Sequence, residues 1–304
     1  MKETARIISV LLLIVGLAAC GRAADVHSFD VVIVGGTPGG VMTAVAVGRG
    51  GHTAVLLDRN KHIGGLPANG LGATDIHTRG TTAGLFTEFV GRIRSHYADK
   101  YGEGSQQVRD CSDGYHFEPS VAQKVFEQML AEVDDKVTVL RRRQFDALPK
   151  NVTKDGERVV QIAVMNRDTG AVEHYKGKVL VDATYEGDLA AAAGCEYRLG
   201  REGQTEFDEP MAGRLYKAWA GPVGAGSTGL ADNAVQAYNF RLCLTKDKAN
   251  MRVIPRPASY NREESNTMRR CSSLHFAGSA GPTSGRPDLT NLPGARSWQS
   301  GRPS

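Results

Sequence analysis

The feature that most constrains this chain is a run in which a strand, a glycine turn, a helix, a second strand and an acid follow one another between Phe29 and Asp58. Phe29 to Val34 (FDVVIV) is a short β-branched stretch, suited to a parallel strand buried on both faces. It runs straight into Gly35-Gly36-Thr37-Pro38-Gly39-Gly40. Val41 to Val47 then reads as helix, and Thr53 to Leu57 as a second strand ending at Asp58. Each part has a physical job. Gly35 permits a tight turn. Small residues after it let the backbone approach a pyrophosphate, which sits on the free N–H groups of the helix N-terminus. Gly40 allows close packing of helix on strand. Asp58, 23 residues after Gly35, is placed to accept hydrogen bonds from a ribose. The strict pattern G-x-G-x-x-G requires glycine at 35, 37 and 40, and Thr37 stands at the middle position. Taken by itself, this unit identifies a dinucleotide without saying which one.

The next residues separate the alternatives. After Asp58 and Arg59 comes a second glycine-rich loop, Gly64-Gly65 and on to Gly72. A plain NAD domain would soon enter another helix, whereas such a loop suits a long flavin lying across the strand ends. Thr82 to Asp99 has helical period, with Leu85, Phe86, Phe89, Val90, Ile93 and Tyr97 on one face. Glu118-Pro119 opens another helix, with Val125, Met129, Leu130 and Val133 as its apolar positions. Short strands follow at Val137 to Leu140, Val159 to Asn166 and Val172 to Tyr175, separated by polar turns. This is a β-meander. Lys178 to Val181 forms a late strand ending in Asp182-Ala183-Thr184-Tyr185-Glu186-Gly187-Asp188, followed by an Ala-rich helix. The expected fold is α/β: a Rossmann-like domain with a parallel sheet and a β-meander crossover over 29–200, then the start of a second, substrate or cap region over 201–270.

This order resembles the FAD-binding fold of the glutathione-reductase-like flavoproteins. More narrowly, Gly35-Gly36-Thr37-Pro38, Gly64-Gly65, Phe117-Glu118-Pro119, Asp182 to Leu189, Gly200-Arg201-Glu202-Gly203 and Tyr238 to Thr245 resemble a bacterial family of FAD-dependent oxidoreductases, often exported and distantly similar to the heterodisulfide reductase flavoprotein subunit. The resemblance covers roughly residues 29 to 262, and members commonly carry Thr at the middle glycine position. It implies FAD as cofactor, a small-molecule substrate, and hydride transfer between the two. The expected cofactor contacts are Gly35, Gly36, Thr37, Pro38, Gly39, Gly40, Asp58, Arg59, Gly64, Gly65, Asp182, Ala183, Thr184, Glu186, Gly187 and Asp188. Two other readings stay open: a non-catalytic dinucleotide-binding fragment, and an NAD-dependent dehydrogenase with a single Rossmann domain.

Several charged residues carry a plainer reading beside the functional one. Glu186 and Asp188 have the spacing of catalytic carboxylates, but after a strand and before a helix they are expected to cap that helix and order the loop. His62 reads as an exposed loop residue. Arg201 and Arg241 read as anion contacts or as salt-bridge partners. Cys195 reads as a small core residue. The five cysteines contain no C-x-x-C pair, which argues against a zinc ribbon, a thioredoxin motif or an iron–sulfur cluster. No Ser/His/Asp or phosphoryl-transfer constellation is present, and no catalytic base is identified. Lys and Arg exceed Asp and Glu by 37 to 33, too little to call for nucleic acid.

The two ends read differently from the middle. Lys2 and Arg6 precede an apolar run from Ile7 to Ala19, too short for a comfortable transmembrane helix but suited to a signal-peptide core. Leu17-Ala18-Ala19-Cys20 resembles a lipobox, with Cys20 as lipid anchor. Cleavage near Ala23 or Ala24 is the alternative. Residues 1–24 are therefore an expected leader of an exported chain, with disulfides among Cys111, Cys195, Cys243 and Cys271 left open. From Ser272 to Ser304, 16 of 33 residues are Ser, Gly or Pro and no apolar period survives, so 271–304 is expected to be disordered. The expected account is a truncated relative with a frameshifted tail; a natural flexible C-terminus is the alternative.

Overall fold

The computed structural model describes residues 26–76, 78–217 and 220–235, with short stretches at 242–244, 248–249, 251–253, 255, 258–259 and 296–298. The expected leader, Arg241, Cys271 and most of the tail lie outside the described residues. The chain divides into two compact units, one of residues up to Gly65 with Phe126–Cys195, the other of Leu66–Val125 with Glu196–Ser304.

The first unit is built on a mixed sheet. Strands β1 (Val26–Val34), β2 (Ala54–Asp58), β3 (Val137–Arg141), β4 (Arg143–Gln144), β5 (Val152–Asp155), β6 (Arg158–Asn166) and β7 (Val172–Asp182) lie in the order β3-β2-β1-β7-β6-β4, with β5 also on β6. β3, β2, β1 and β7 are parallel; β6 runs antiparallel to β7, β4 and β5. The register brings Val34 level with Leu57 and with Asp182, and Asp58 level with Arg141. The carboxyl ends of four parallel strands therefore share one edge.

Both faces of the parallel strands are covered, which explains the unbroken apolar run FDVVIV. On one face Val32, Val34, Val55 and Leu57 join Phe145, Ile162, Val164, Tyr175 and Leu189 in a buried cluster. Ile33 and Leu56 alternate to the other side and are equally buried. Helix α1 (Pro38–Arg49) buries Val41, Ala44 and Val45, and at Gly48 it comes so near that a Cβ would lie 2.7 Å from Val133 Cβ.

Two strands differ from expectation. Val137 to Leu140, expected as the first strand of the meander, is β3, which pairs parallel with β2 at the opposite edge of the sheet from the antiparallel β6 and β4. Val172 to Tyr175 and Lys178 to Val181 are a single eleven-residue strand, β7, not a meander strand followed by a separate closing strand. Gly177 suggests a break because an interior glycine weakens a strand. The sheet overrides that weakness, because β7 pairs with β1 in constant register from His174 to Asp182 while its first half also pairs with β6. Gly177 also admits its neighbour, since a Cβ there would lie 3.0 Å from Val32 Cγ2.

In the second unit, α2 (Gly84–Tyr101) buries Phe89, Val90, Ile93 and Tyr97, with Leu85 and Phe86 half-buried on the same face. Phe89 meets Phe117 edge to face at 5.9 Å, and Tyr97 Oη accepts a hydrogen bond from the Glu118 amide at 3.0 Å. A short helix, α3 (Gln106–Asp110), follows α2, and α4 (Pro119–Ala131) leads from this unit into the first. Arg201 is a salt-bridge partner: its guanidinium makes two hydrogen bonds to the Asp232 carboxylate, one of 2.7 Å from Nε to Oδ1. In the tail expected to be disordered, β9 (Arg296–Trp298) pairs antiparallel with β8 (Leu242–Leu244). Cys111 and Cys195 are both free. Cys195 is exposed, not a core residue, because the chain turns out of helix α5 (Asp188–Ala192) at Gly194 just before it.

Candidate functional site

The glycine turn sits at the shared carboxyl edge, and its geometry leaves no room for side chains at three positions. Gly35 has φ of +107°, and a Cβ there would lie 2.6 Å from the carbonyl oxygen of Ala183. A Cβ on Gly36 would lie 2.5 Å from Asp58 Oδ2. A Cβ on Gly40 would collide with the carbonyl oxygen of Gly35. Gly39 is different, with nothing nearer than Thr37 Oγ1 at 3.7 Å.

Thr37, the departure from the glycine pattern, does two jobs at once. Its hydroxyl donates to the Ala183 carbonyl at 2.7 Å and accepts from the Gly40 amide at 3.3 Å. It is thus the N-cap of α1 and a tether between the turn and the end of β7. Pro38 occupies the first helical turn, where a missing N–H costs nothing. Among the described residues the N–H groups of Thr37 and Gly39 make no hydrogen bond. A pyrophosphate fits such a turn, since its oxygens accept from free amides at the positive end of a helix. Thr37→Val should destabilise the fold by about 1–2 kcal/mol through loss of cap and tether, while Thr37→Ser, which keeps both, should stay within about 0.5 kcal/mol. Urea unfolding of the two variants checks this.

Asp58 is only 7% exposed. Its Oδ2 accepts from the Gly36 amide at 2.6 Å and its Oδ1 from the Asn60 amide at 2.5 Å. Burial pushes its carboxyl above the usual range, against the pull of those two amides and of Arg59. The second glycine loop docks on the first: the Gly64 amide donates to the Gly36 carbonyl at 2.7 Å. Ile63, fully buried, packs on Gly36. At Gly65 a Cβ would strike the hydroxyl of Tyr185 and lie 3.0 Å from Pro38 Cδ. Tyr185 was not among the expected contacts. It stands inside the Asp182–Asp188 motif, but an exposed tyrosine after a strand carries no periodic signal.

The Asp182–Asp188 loop is ordered by residues other than those expected. Asp182 Oδ1 accepts from the Thr184 amide and hydroxyl at 2.9 and 2.7 Å, and Oδ2 accepts from the Ala190 amide at 2.8 Å. Thr184 Oγ1 accepts from the amides of Gly187 and Asp188 at 2.9 and 3.0 Å. Asp182 and Thr184 therefore satisfy the first turn of α5. Glu186 does not cap; it makes an exposed ion pair with Arg59 at 3.4 Å. Asp188 is the first residue of α5, its carboxyl raised by burial and by the charge of Glu186. His62 is exposed, as its sequence context suggests. Thus the structure gathers Gly35–Gly40, Asp58, Gly64, Gly65, Asp182, Ala183 and Thr184 around one turn, and sets Arg59 and Glu186 together beside it. Among the described residues there is no cluster of metal-ligating side chains, and no helix long and apolar enough to cross a membrane.

Solved structures with a related arrangement include L-proline dehydrogenase from P. horikoshii (15% identity, TM-score 0.32, 53% of this chain and 24% of that one). Glycerol-3-phosphate dehydrogenase from Bacillus halodurans complexed with FAD is similar at 11% identity and a TM-score of 0.38, over 60% of this chain and 42% of that one. Anhydrotetracycline hydroxylase from Streptomyces rimosus is similar at 16% identity and a TM-score of 0.40, over 58% and 36%. The chain thus spans less than half the length of each. No curated protein matches it. The family model of FAD dependent oxidoreductases matches residues 30–297, reaching past residue 262 and through most of the tail. With a Rossmann-like sheet, a dinucleotide turn and a match over most of its length, the chain belongs to the FAD dependent oxidoreductase family.

Proposed function

We propose that the protein transfers a hydride between a small organic substrate and bound FAD, and that the first unit holds the ADP half of that cofactor. The carrying observation is the turn itself, where side chains are excluded at Gly35, Gly36 and Gly40 while the Asp58 carboxylate is fastened to the Gly36 amide. The chemistry FAD supplies when bound is two-electron redox, with the protein contributing position and electrostatics. The amides of Thr37 and Gly39 are the donors for phosphate oxygens. Asp58 has two amides on it and retains lone pairs for ribose hydroxyls. Asp182 and Thr184 hold the strand end against which Gly35 packs. Gly64 and Gly65 extend the same surface toward the flavin. The chain is exported in this reading, through a leader cleaved just before Cys20 or near Ala23 or Ala24, and palmitate labelling of Cys20 distinguishes the two.

The test is gel filtration of the purified chain after incubation with FAD. Flavin absorption co-eluting with folded protein, displaced by excess ADP, is expected. A folded, colourless protein overturns the reading.

A further inference from the structure

We propose that the hairpin joining β6 to β7 braces the ribose-binding loop, with Arg167 as the positioning residue. This rests on the reading of Asp58 as the ribose acceptor. The loop after Asp58 is held from outside at two successive carbonyls. Arg167 Nη1 donates to the Arg59 carbonyl at 3.0 Å, and the Arg142 amide donates to the Asn60 carbonyl at 3.1 Å. The Arg59 carbonyl and the Asn60 amide belong to one planar peptide unit. At its other end that unit donates, through the Asn60 N–H, to Asp58 Oδ1 at 2.5 Å. The peptide is therefore pinned between the Arg167 guanidinium and the Asp58 carboxylate, so releasing Arg167 lets it rotate and carry away one of the two hydrogen bonds that orient Asp58.

The brace is anchored in a rigid network. The Arg167 amide donates to the Arg142 carbonyl at 2.8 Å, and the Arg142 side chain pairs with Asp168. Asn166, 7% exposed, accepts from the Asp168 amide at 2.9 Å and donates to Glu173 at 2.7 Å. Glu173 in turn takes two hydrogen bonds from Arg143, at 3.0 and 3.1 Å. Arg167 itself is exposed and pairs with no carboxylate among the described residues. Among the described residues its side chain bonds only to a neutral carbonyl in the cofactor loop, so its removal should cost binding and not folding.

The experiment compares the full-length wild type with Arg167→Ala and Arg167→Lys. Affinities for FAD and for ADP are measured by titration, with the urea midpoint of the apo protein and the exchange rate of the Asn60 amide alongside. Arg167→Ala should weaken both ligands about tenfold, the size of one hydrogen bond to a charged group. The Asn60 amide should exchange faster while the urea midpoint stays in place. Arg167→Lys, which still offers a donor to the Arg59 carbonyl, should recover most of the affinity. Unchanged affinity in Arg167→Ala, or an affinity loss matched by a fallen midpoint, overturns the proposal while wild-type binding keeps the site reading intact. A wild type that binds neither ligand overturns both.

Discussion

Gly40→Ala should cost about 3 kcal/mol or more, enough to threaten a fold whose total stability is typically about 5–15 kcal/mol. A methyl at this position meets the backbone carbonyl of Gly35, and beyond it Ala183 Cβ at 3.2 Å. Neither is the far end of a flexible side chain, so the clash is relieved only by lifting α1 off β1. Gly35 is held in place, because its amide donates to the Leu57 carbonyl at 2.8 Å. The internal control is one residue earlier. Gly39→Ala meets nothing closer than 3.7 Å. In the first turn of a helix it should be neutral or stabilise by up to about 1 kcal/mol, through helix propensity and a less entropic unfolded chain. Urea denaturation of the two variants, with FAD titration of whichever folds, measures the contrast. Equal effects at 39 and 40 would refute the close-approach argument.

Asp182→Ala should be the second large effect, about 3 kcal/mol. Three donors lose their acceptor: the Thr184 amide, the Thr184 hydroxyl and the Ala190 amide. A hydrogen bond to a charged group contributes about 1.5–3 kcal/mol, and because these three donors are only partly buried, water recovers part of what they lose, which leaves a net cost of about 3 kcal/mol. The damage spreads, because Thr184 Oγ1 is the acceptor for Gly187 and Asp188 and is itself held by Asp182. The neighbouring Glu186→Ala should change stability by less than about 0.5 kcal/mol, because its pair with Arg59 is solvent-exposed. Thermal unfolding checks both. A larger loss at Glu186 than at Asp182 would mean that the loop is ordered by its surface ion pair.

The expected assignment of the capping role to Glu186 and Asp188 shows where sequence reasoning stops. An acid just ahead of a helix is a sound local signal for a cap. Asp182 lies further back, inside the strand, and reaches the Ala190 amide eight residues on only because the chain turns sharply at Gly187, where φ is +73°. That turn cannot be read from residue type alone.

What the sequence by itself determined is the part of the site carried by local pattern. The apolar run Phe29–Val34, the glycines at 35, 36 and 40, and the acid at 58 specify strand, turn, helix and second strand because side-chain period and φ preference act over a few residues. The Thr82–Asp99 helix and its buried face were legible for the same reason. Tertiary structure alone decided which donors meet which acceptors. Thr37 binds the Ala183 carbonyl across 146 residues, and Arg167 reaches Arg59 across 108. It also decided that β7 is one strand through Gly177, since pairing with β1 and β6 outweighs a local weakness. Hydrophobic periodicity encodes which side of an element is buried. The partner of each polar atom depends on the register of strands far apart in the chain, and no local pattern specifies it.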